Sequence, residues 1–432
     1  MNESRETVYL DHAATTPMYD EVVAAMTRQL TRTGNPSSLH SSGRTARRAV
    51  EESRERVADS LNARPGEVVF TSGATESDNL AIKGIYWSRR REEPRRRRIL
   101  STAVEHPAVL DTLRWLAVQE GAEVELLPVN RHGELDPDVL RASIERDPGS
   151  VALVSVMWAN HEVGTLQPIR QAVELAHAYG VPVHTDAVQA VGQVPVDFAA
   201  SGVDALTCTA HKLGGPAGVG ALVVRRTVGV TPLLHGGGQE RVLRSGTVGT
   251  ALIVGFAAAI GIAVKRQHSD AIRLSALRDD LVQQVRQTVA GVRVSGHESR
   301  LDRRLPNNAN LQFPGCEGDS LVMLLDARGI EASTGSACSV GVAQPSHVLL
   351  AMGFAEAEAR SSLRLTLGHT STQADVDAFV RAIGPVVERA RASGLPALRR
   401  LRSAGLADSS VSGRLPGAPT ALSARPRSPR PD

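Results

Sequence analysis

Lysine is nearly missing from this sequence: among 49 Lys and Arg residues only Lys83, Lys212 and Lys265 are lysines. Cysteine is scarce too, and the three present (Cys208, Cys316 and Cys338) are too few and too scattered for a disulfide framework or a zinc site. No clustered ligand set points to a metal. A reducing cytoplasm is the expected setting, with one or more thiols available for chemistry. The longest apolar run, Ala251 to Val264, stops short of the roughly 18 residues that crossing a bilayer requires. It predicts a buried helix, and no membrane association is expected. Residues Met1 to Leu10 are polar and include Glu3, Arg5 and Glu6, so they lack the order of a signal peptide.

Charge excludes a further class. The chain of 432 residues has a formal net charge of +3. Seven Arg and two Asp after Leu395 contribute 7 − 2 = +5, which leaves 3 − 5 = −2 for the remainder. Nothing in that distribution predicts direct nucleic-acid binding. The run Arg89 to Arg98 reads as a solvated loop between a helix and a strand. Hydrophobic content of 42% and charged content of 22% fit a globular protein with room for two domains.

What is there is an alternation. Apolar, β-branched runs recur at Glu67 to Thr71, Arg98 to Thr102, Val124 to Leu127, Val151 to Val156, Val181 to His184, Ala205 to Thr209 and Gly220 to Val224. Helical lengths separate most of them, which predicts an α/β fold with a mostly parallel seven-stranded sheet covered on both faces. A long helix over Thr250 to Ala290 leads to a smaller α+β region. There the expected strands are Val292 to Ser295, Asn308 to Phe313 and Ser362 to Thr366, and the expected helices Gly318 to Arg328 and Gln373 to Ala392. After about Gly394 the composition turns to Pro, Ser, Gly, Ala and Arg without periodicity, which predicts a disordered tail over 395–432.

Chemistry-bearing residues fall where these strands end, the edge at which such sheets bind ligands. Lys212, in Thr209-Ala210-His211-Lys212 before two glycines, is a candidate amine nucleophile, a role arginine cannot fill. Asp186 ends a strand, as a helix cap, a metal ligand or the partner of a pyridinium nitrogen. Thr71 to Ser77, including Ala74 and Thr75, joins a strand to a helix and could cap that helix or cradle a phosphate. A lysine for an imine, a carboxylate for a ring nitrogen and a phosphate cradle are what pyridoxal 5'-phosphate needs. His106 follows a strand, where it could stack on a flat cofactor and move protons. Cys338 sits among small residues between Gly335 and Gly341, as suits an exposed, mobile nucleophile; Cys316 is a weaker candidate, and Cys208 has the apolar setting of a structural thiol. Arg364, inside an apolar strand, needs an anion, either a substrate carboxylate or a structural ion-pair partner.

Together these segments resemble the cysteine desulfurases of the NifS/IscS type, class V aminotransferase relatives within pyridoxal-phosphate fold type I. The resemblance runs from about Tyr9 to about Ala390 and includes Tyr9 to Pro17, Gly34 to Ser38, Thr71 to Leu80, His211-Lys212, His235 to Arg241 and Arg244 to Thr247. It implies a large cofactor-binding domain over 15–260 and a small domain from 1–14 and 261–394 carrying the cysteine loop. It implies Lys212 as the cofactor's anchor and base, Asp186 on the pyridine nitrogen, Gln189 on the ring oxygen and His106 on the ring face. Ala74, Thr75, Thr209 and His211 would hold the phosphate, joined by Thr247 from the partner subunit of a homodimer. Arg364, with Asn35 and His161, would hold L-cysteine; the family usually has Asn where this chain has His161. Sulfur would leave L-cysteine as a Cys338 persulfide, giving L-alanine, and pass to an iron–sulfur scaffold protein or a tRNA-thiolating enzyme. A selenocysteine lyase, a class V aminotransferase and a catalytically silent partner-binding homologue share the same framework.

Overall fold

The computed structural model describes residues 7–298, 301–335 and 344–403. Among these its strands are β1 (Val8–Tyr9), β2 (Val68–Thr71), β3 (Arg98–Thr102), β4 (Glu123–Leu127), β5 (Val151–Ser155), β6 (Val183–Asp186), β7 (Ala205–Thr209), β8 (Gly220–Val224), β9 (Arg293–Ser295), β10 (Asn308–Gln312), β11 (Ile330–Glu331) and β12 (Ser362–Thr366). Seven of them form one sheet in the order β2-β8-β7-β6-β5-β3-β4. Strand β8 runs antiparallel to both neighbours, and the other pairs are parallel.

Period-two alternation divides the sheet's side chains between two cores. Val68, Phe70, Leu100, Val154 and Leu206 enter one of them. Val69, Ile99, Leu153 and Ala205, one residue away in the same strands, enter the other. Both faces are therefore apolar and covered, which is why the strands read as continuous hydrophobic runs. Strand β4, at the edge, is the exception: Glu123 and Leu126 are exposed.

The helix Thr250–Thr288, of 39 residues, is long enough to cross a bilayer, yet Ile253, Phe256, Ala257 and Ile260 of its apolar half lie in the large core. Its second half gives Leu274, Leu281 and Val285 to a separate core with Leu311, Phe313, Leu363, Leu365, Phe379 and Ile383. That core backs the antiparallel sheet β9-β10-β12.

Residues 7–16 tie the two regions together. Strand β1 pairs in parallel with β11. Thr366 N–H donates to Leu10 O at 2.7 Å, Ala13 N–H to Thr366 Oγ1 at 2.8 Å, and Thr16 N–H to His211 O at 2.9 Å. The expected tail needs one correction: the last helix runs Gln373–Ser403, past Gly394. Leu395, Ala397, Leu398 and Leu401, with three arginines, are good helix formers on either side of Pro396. Residues 404–432 lie outside the described residues.

Candidate active site

A cavity of 360 Å³ opens at the carboxyl edge of the large sheet. Strand β2 turns through Ser72-Gly73 into the helix Ala74–Glu92, and among the described residues no side chain caps that helix's N-terminus. Ala74, Thr75 and Glu76 of its first turn line the cavity, at the positive end of the helix dipole. The turn is held tightly: Ser72 N–H donates to Glu76 Oε2 at 2.7 Å, and Arg244 Nε donates to Glu76 Oε1 at 2.9 Å. Gly220 opens β8 against Gly73, and a Cβ there would stand 2.9 Å from the Gly73 backbone.

Asp186 closes β6 and is buried. Val188 N–H donates to it at 2.9 Å, and burial pushes its carboxyl up to about 6. Lys212 enters from the turn after β7, with its Nζ donating to Ala13 O and, at 2.6 Å, to Ala14 O. Burial, reinforced by Arg364, lowers this ammonium to about 8, against the opposing pull of Asp11 and Asp186. Gln189 Nε2 donates to the same Ala13 carbonyl at 3.0 Å. His106 caps the helix Pro107–Glu120 by accepting from Ala108 N–H at 3.1 Å, and burial, then Lys212, lowers it to about 4. Its imidazole is neutral at physiological pH.

These features match the demands of pyridoxal phosphate. The cavity joins an amine that releases its proton near pH 8, a buried carboxylate and a helix N-terminus, and among the described residues no cation bonds to the carboxylate and no side chain caps the helix. When the cofactor is bound, Lys212 would anchor it, Asp186 would face its ring nitrogen, and the Ala74–Thr75 turn with Thr209 and His211 would take its phosphate.

A family model for class-V aminotransferases matches residues 8–379. The chain belongs to that family. Relatives place it in the cysteine desulfurase branch: it is 56% identical over 389 residues to an IscS-like cysteine desulfurase of Mycobacterium tuberculosis, covering 90% of this chain and 98% of that one. Over 385 residues it is 42% identical to the cysteine desulfurase IscS of Dictyoglomus turgidum, covering 89% and 95%. Among solved structures, a NifS-like protein superposes with a TM-score of 0.81 at 36% identity, covering 88% of this chain and 99% of that one. The protein is a pyridoxal-phosphate-dependent cysteine desulfurase of fold type I, as its motifs predict.

In this desulfurase the cavity gathers Ala74, Thr75, His106, His161, Asp186, Gln189, Thr209, His211 and Lys212. It does not gather Asn35 and Thr247, which meet in a separate small hollow beside Arg54 and Glu240. Arg364 is buried and already has its anion: Nη2 donates to Asp11 Oδ1 at 2.8 Å and Nη1 to His161 O at 3.1 Å, while Nε has no partner among the described residues. Cys338 lies outside the described residues. Cys208 is buried in β7, with its thiol pushed up to about 12 by burial, and Cys316 is buried with Sγ 3.8 Å from Val387 O. Neither has the exposure a sulfur-transferring thiol needs.

Three buried acids around the site were not anticipated. Glu105 accepts from Thr102 Oγ1 at 2.7 Å and Met157 N–H at 2.9 Å, both on Oε1. Burial raises it to about 8. Asp78 is fully buried 3.5 Å from His184 Nε2, and Glu162 is fully buried beside His161. The sequence signal was adjacency, since Glu105 precedes His106 and Glu162 follows His161.

Proposed function

We propose that this desulfurase converts L-cysteine to L-alanine and passes the sulfur, as a persulfide on Cys338, to an acceptor protein in iron–sulfur cluster assembly or tRNA thiolation. The observation that carries the residue roles is the shared cavity of Lys212 and Asp186. Bound pyridoxal phosphate supplies an electron sink for the substrate's Cα. Lys212 anchors the cofactor and then moves the Cα proton at Nζ, a task suited to an amine that titrates near pH 8. Asp186 would face the ring nitrogen, where a buried carboxylate would keep a proton in place. His106, neutral, would cover the ring face and hold its one proton at Nε2, since Nδ1 accepts from Ala108 N–H. Arg364 would orient the substrate carboxylate through its guanidinium group. Cys338 attacks the substrate sulfur as a thiolate.

The working unit is a homodimer in which Thr247 of the partner subunit completes the phosphate cradle. The position of Thr247 outside its own chain's cavity supports that reading. The compartment is the cytoplasm, consistent with the sparse cysteines. Labelled cysteine tests the whole proposal. Lys212→Ala should lose the cofactor's visible absorbance and all alanine formation. Cys338→Ser should keep the cofactor and form no persulfide; sulfide production unchanged in that variant would turn the assignment toward a β-eliminating lyase. Label moving from the loaded enzyme to a scaffold protein or to a tRNA-thiolating enzyme identifies the acceptor.

A further inference from the structure

The wall of the active-site cavity is short of positive charge for a site that must receive a phosphate. Among the described residues its lining has one cation, Lys212, and two carboxylates, Glu76 and Asp186. His211 adds no charge near neutral pH, because burial, then Lys212, lowers its imidazole to about 4. Glu76 stands in the first turn of the helix Ala74–Glu92, the turn that would take the phosphate. Its Oε2 accepts from Ser72 N–H at 2.7 Å and its Oε1 from Arg244 Nε at 2.9 Å, which is how an ionised carboxylate is held. Burial alone would raise it, yet the bonds from Arg244 and Ser72 keep it below the usual carboxylate range. A carboxylate in that turn repels a dianion unless its charge is cancelled.

Arg244 is the group that cancels it. The side chains of Arg244 and Glu76 are only 17% and 16% exposed, so salt and solvent screen the pair little. The loop that carries Arg244 fixes its place. Arg244 N–H donates to Glu240 O at 3.1 Å and Glu240 N–H to Arg244 O at 3.0 Å, while Arg54 grips the Glu240 carboxylate. Within this turn Arg241 and Val242 take φ of 54° and 61°, left-handed values that non-glycine residues, and β-branched ones above all, adopt only at a cost. Strain of that kind marks a loop whose shape serves a site.

We propose that Arg244 determines cofactor specificity: by neutralising Glu76 it lets the cavity select phosphorylated pyridoxal over pyridoxal itself. This rests on the pyridoxal-phosphate reading of the cavity. Arg244 acts through Glu76 and is therefore a positioning residue. Without it, the Glu76 carboxylate stays in the phosphate's cradle uncompensated. Unphosphorylated pyridoxal brings no charge to that end and is indifferent to the pair.

The test is an equilibrium titration of full-length apoprotein with pyridoxal phosphate and, separately, with pyridoxal, each read by visible absorbance. Wild type should bind the phosphate ester more tightly. In Arg244→Gln the affinity for pyridoxal phosphate should fall about tenfold or more, while that for pyridoxal stays within about twofold. Adding Glu76→Gln should return pyridoxal phosphate affinity to within about threefold of wild type, since two amides replace the ion pair by a neutral hydrogen bond. If melting of apoprotein shows that Arg244→Gln does not fold, Glu76→Gln alone decides, and it should bind pyridoxal phosphate at least as tightly as wild type. Equal weakening of both ligands by Arg244→Gln, as a merely structural role would give, overturns the proposal. So does an unchanged affinity for pyridoxal phosphate, a double variant as weak as the single one, or a Glu76→Gln variant that binds the phosphate ester more weakly than wild type. Wild type that binds pyridoxal as tightly as its phosphate ester overturns the pyridoxal-phosphate reading itself, and this proposal with it.

Discussion

The depressed Lys212 amine makes a quantitative prediction about how the apoprotein reclaims its cofactor. Only a neutral amine can attack the cofactor's carbonyl. An ordinary lysine titrates near 10.5, and burial brings Lys212 to about 8. At pH 7 about one amine in ten is then neutral, about 300-fold more than for an unperturbed lysine. The perturbation is pH, and the assay is the rate at which the cofactor's visible absorbance returns when pyridoxal phosphate is mixed with apoprotein between pH 6 and 10. The rate should climb close to tenfold per pH unit up to about 8 and then flatten. Arg364, the second cause of the depression, supplies a control: Arg364→Gln should move the bend to higher pH. A rate that keeps climbing past pH 10 in the wild type, or a bend that Arg364→Gln moves downward, would refute the reasoning.

Three further outcomes follow from the packing around the site. Glu105 carries a raised carboxyl, so its contribution to stability is fully present below the unfolded value near 4.5 and is lost as pH rises through about 8; Glu105→Gln should flatten that loss, worth up to about 5 kcal/mol, in urea melts of apoprotein at pH 5 and pH 9. Arg54 grips Glu240 with two bonds of 2.7 and 2.8 Å, and Glu240 also accepts from Phe70 N–H at 2.9 Å. Arg54→Met should therefore cost about 3–5 kcal/mol by stranding a buried carboxylate, and adding Glu240→Gln should recover much of it at matched protein and cofactor concentrations. Gly220→Ala should press on Cys208 O of β7 and on the Gly73 backbone, lowering the melting temperature of apoprotein and weakening pyridoxal phosphate binding about tenfold or more in an equilibrium titration.

The seven strands of the large sheet were legible because both faces are buried, which removes the ambiguity of alternating patterns: observed and expected ends differ by no more than two residues. Strand β1 was not legible. Two residues carry no periodicity, and its partner β11 is more than 300 positions away. The helix beyond Gly394 was hidden by Pro396 and by composition that elsewhere marks disorder. Lys212 and Asp186 announced themselves by residue type and position at strand ends. Arg364 was recognised as a buried cation in need of an anion, but its partner Asp11 comes from the far end of the chain, and only the fold brings them together. Glu105 and Glu162 stayed unseen because a buried acid looks like a surface acid until its neighbours are known.

The thread formed by residues 7–16 carries a practical consequence. It crosses from β11 and β12 to the loop of His211 and ends with the carbonyls of Ala13 and Ala14 on the Lys212 amine. A tag, trimming or chemical label that disturbs Tyr9 to Thr16 should therefore be felt first in the color of the enzyme and only later in its melting. Spectral change after N-terminal modification would be a sensitive gauge of how firmly β11 and β12 hold the Lys212 amine in place.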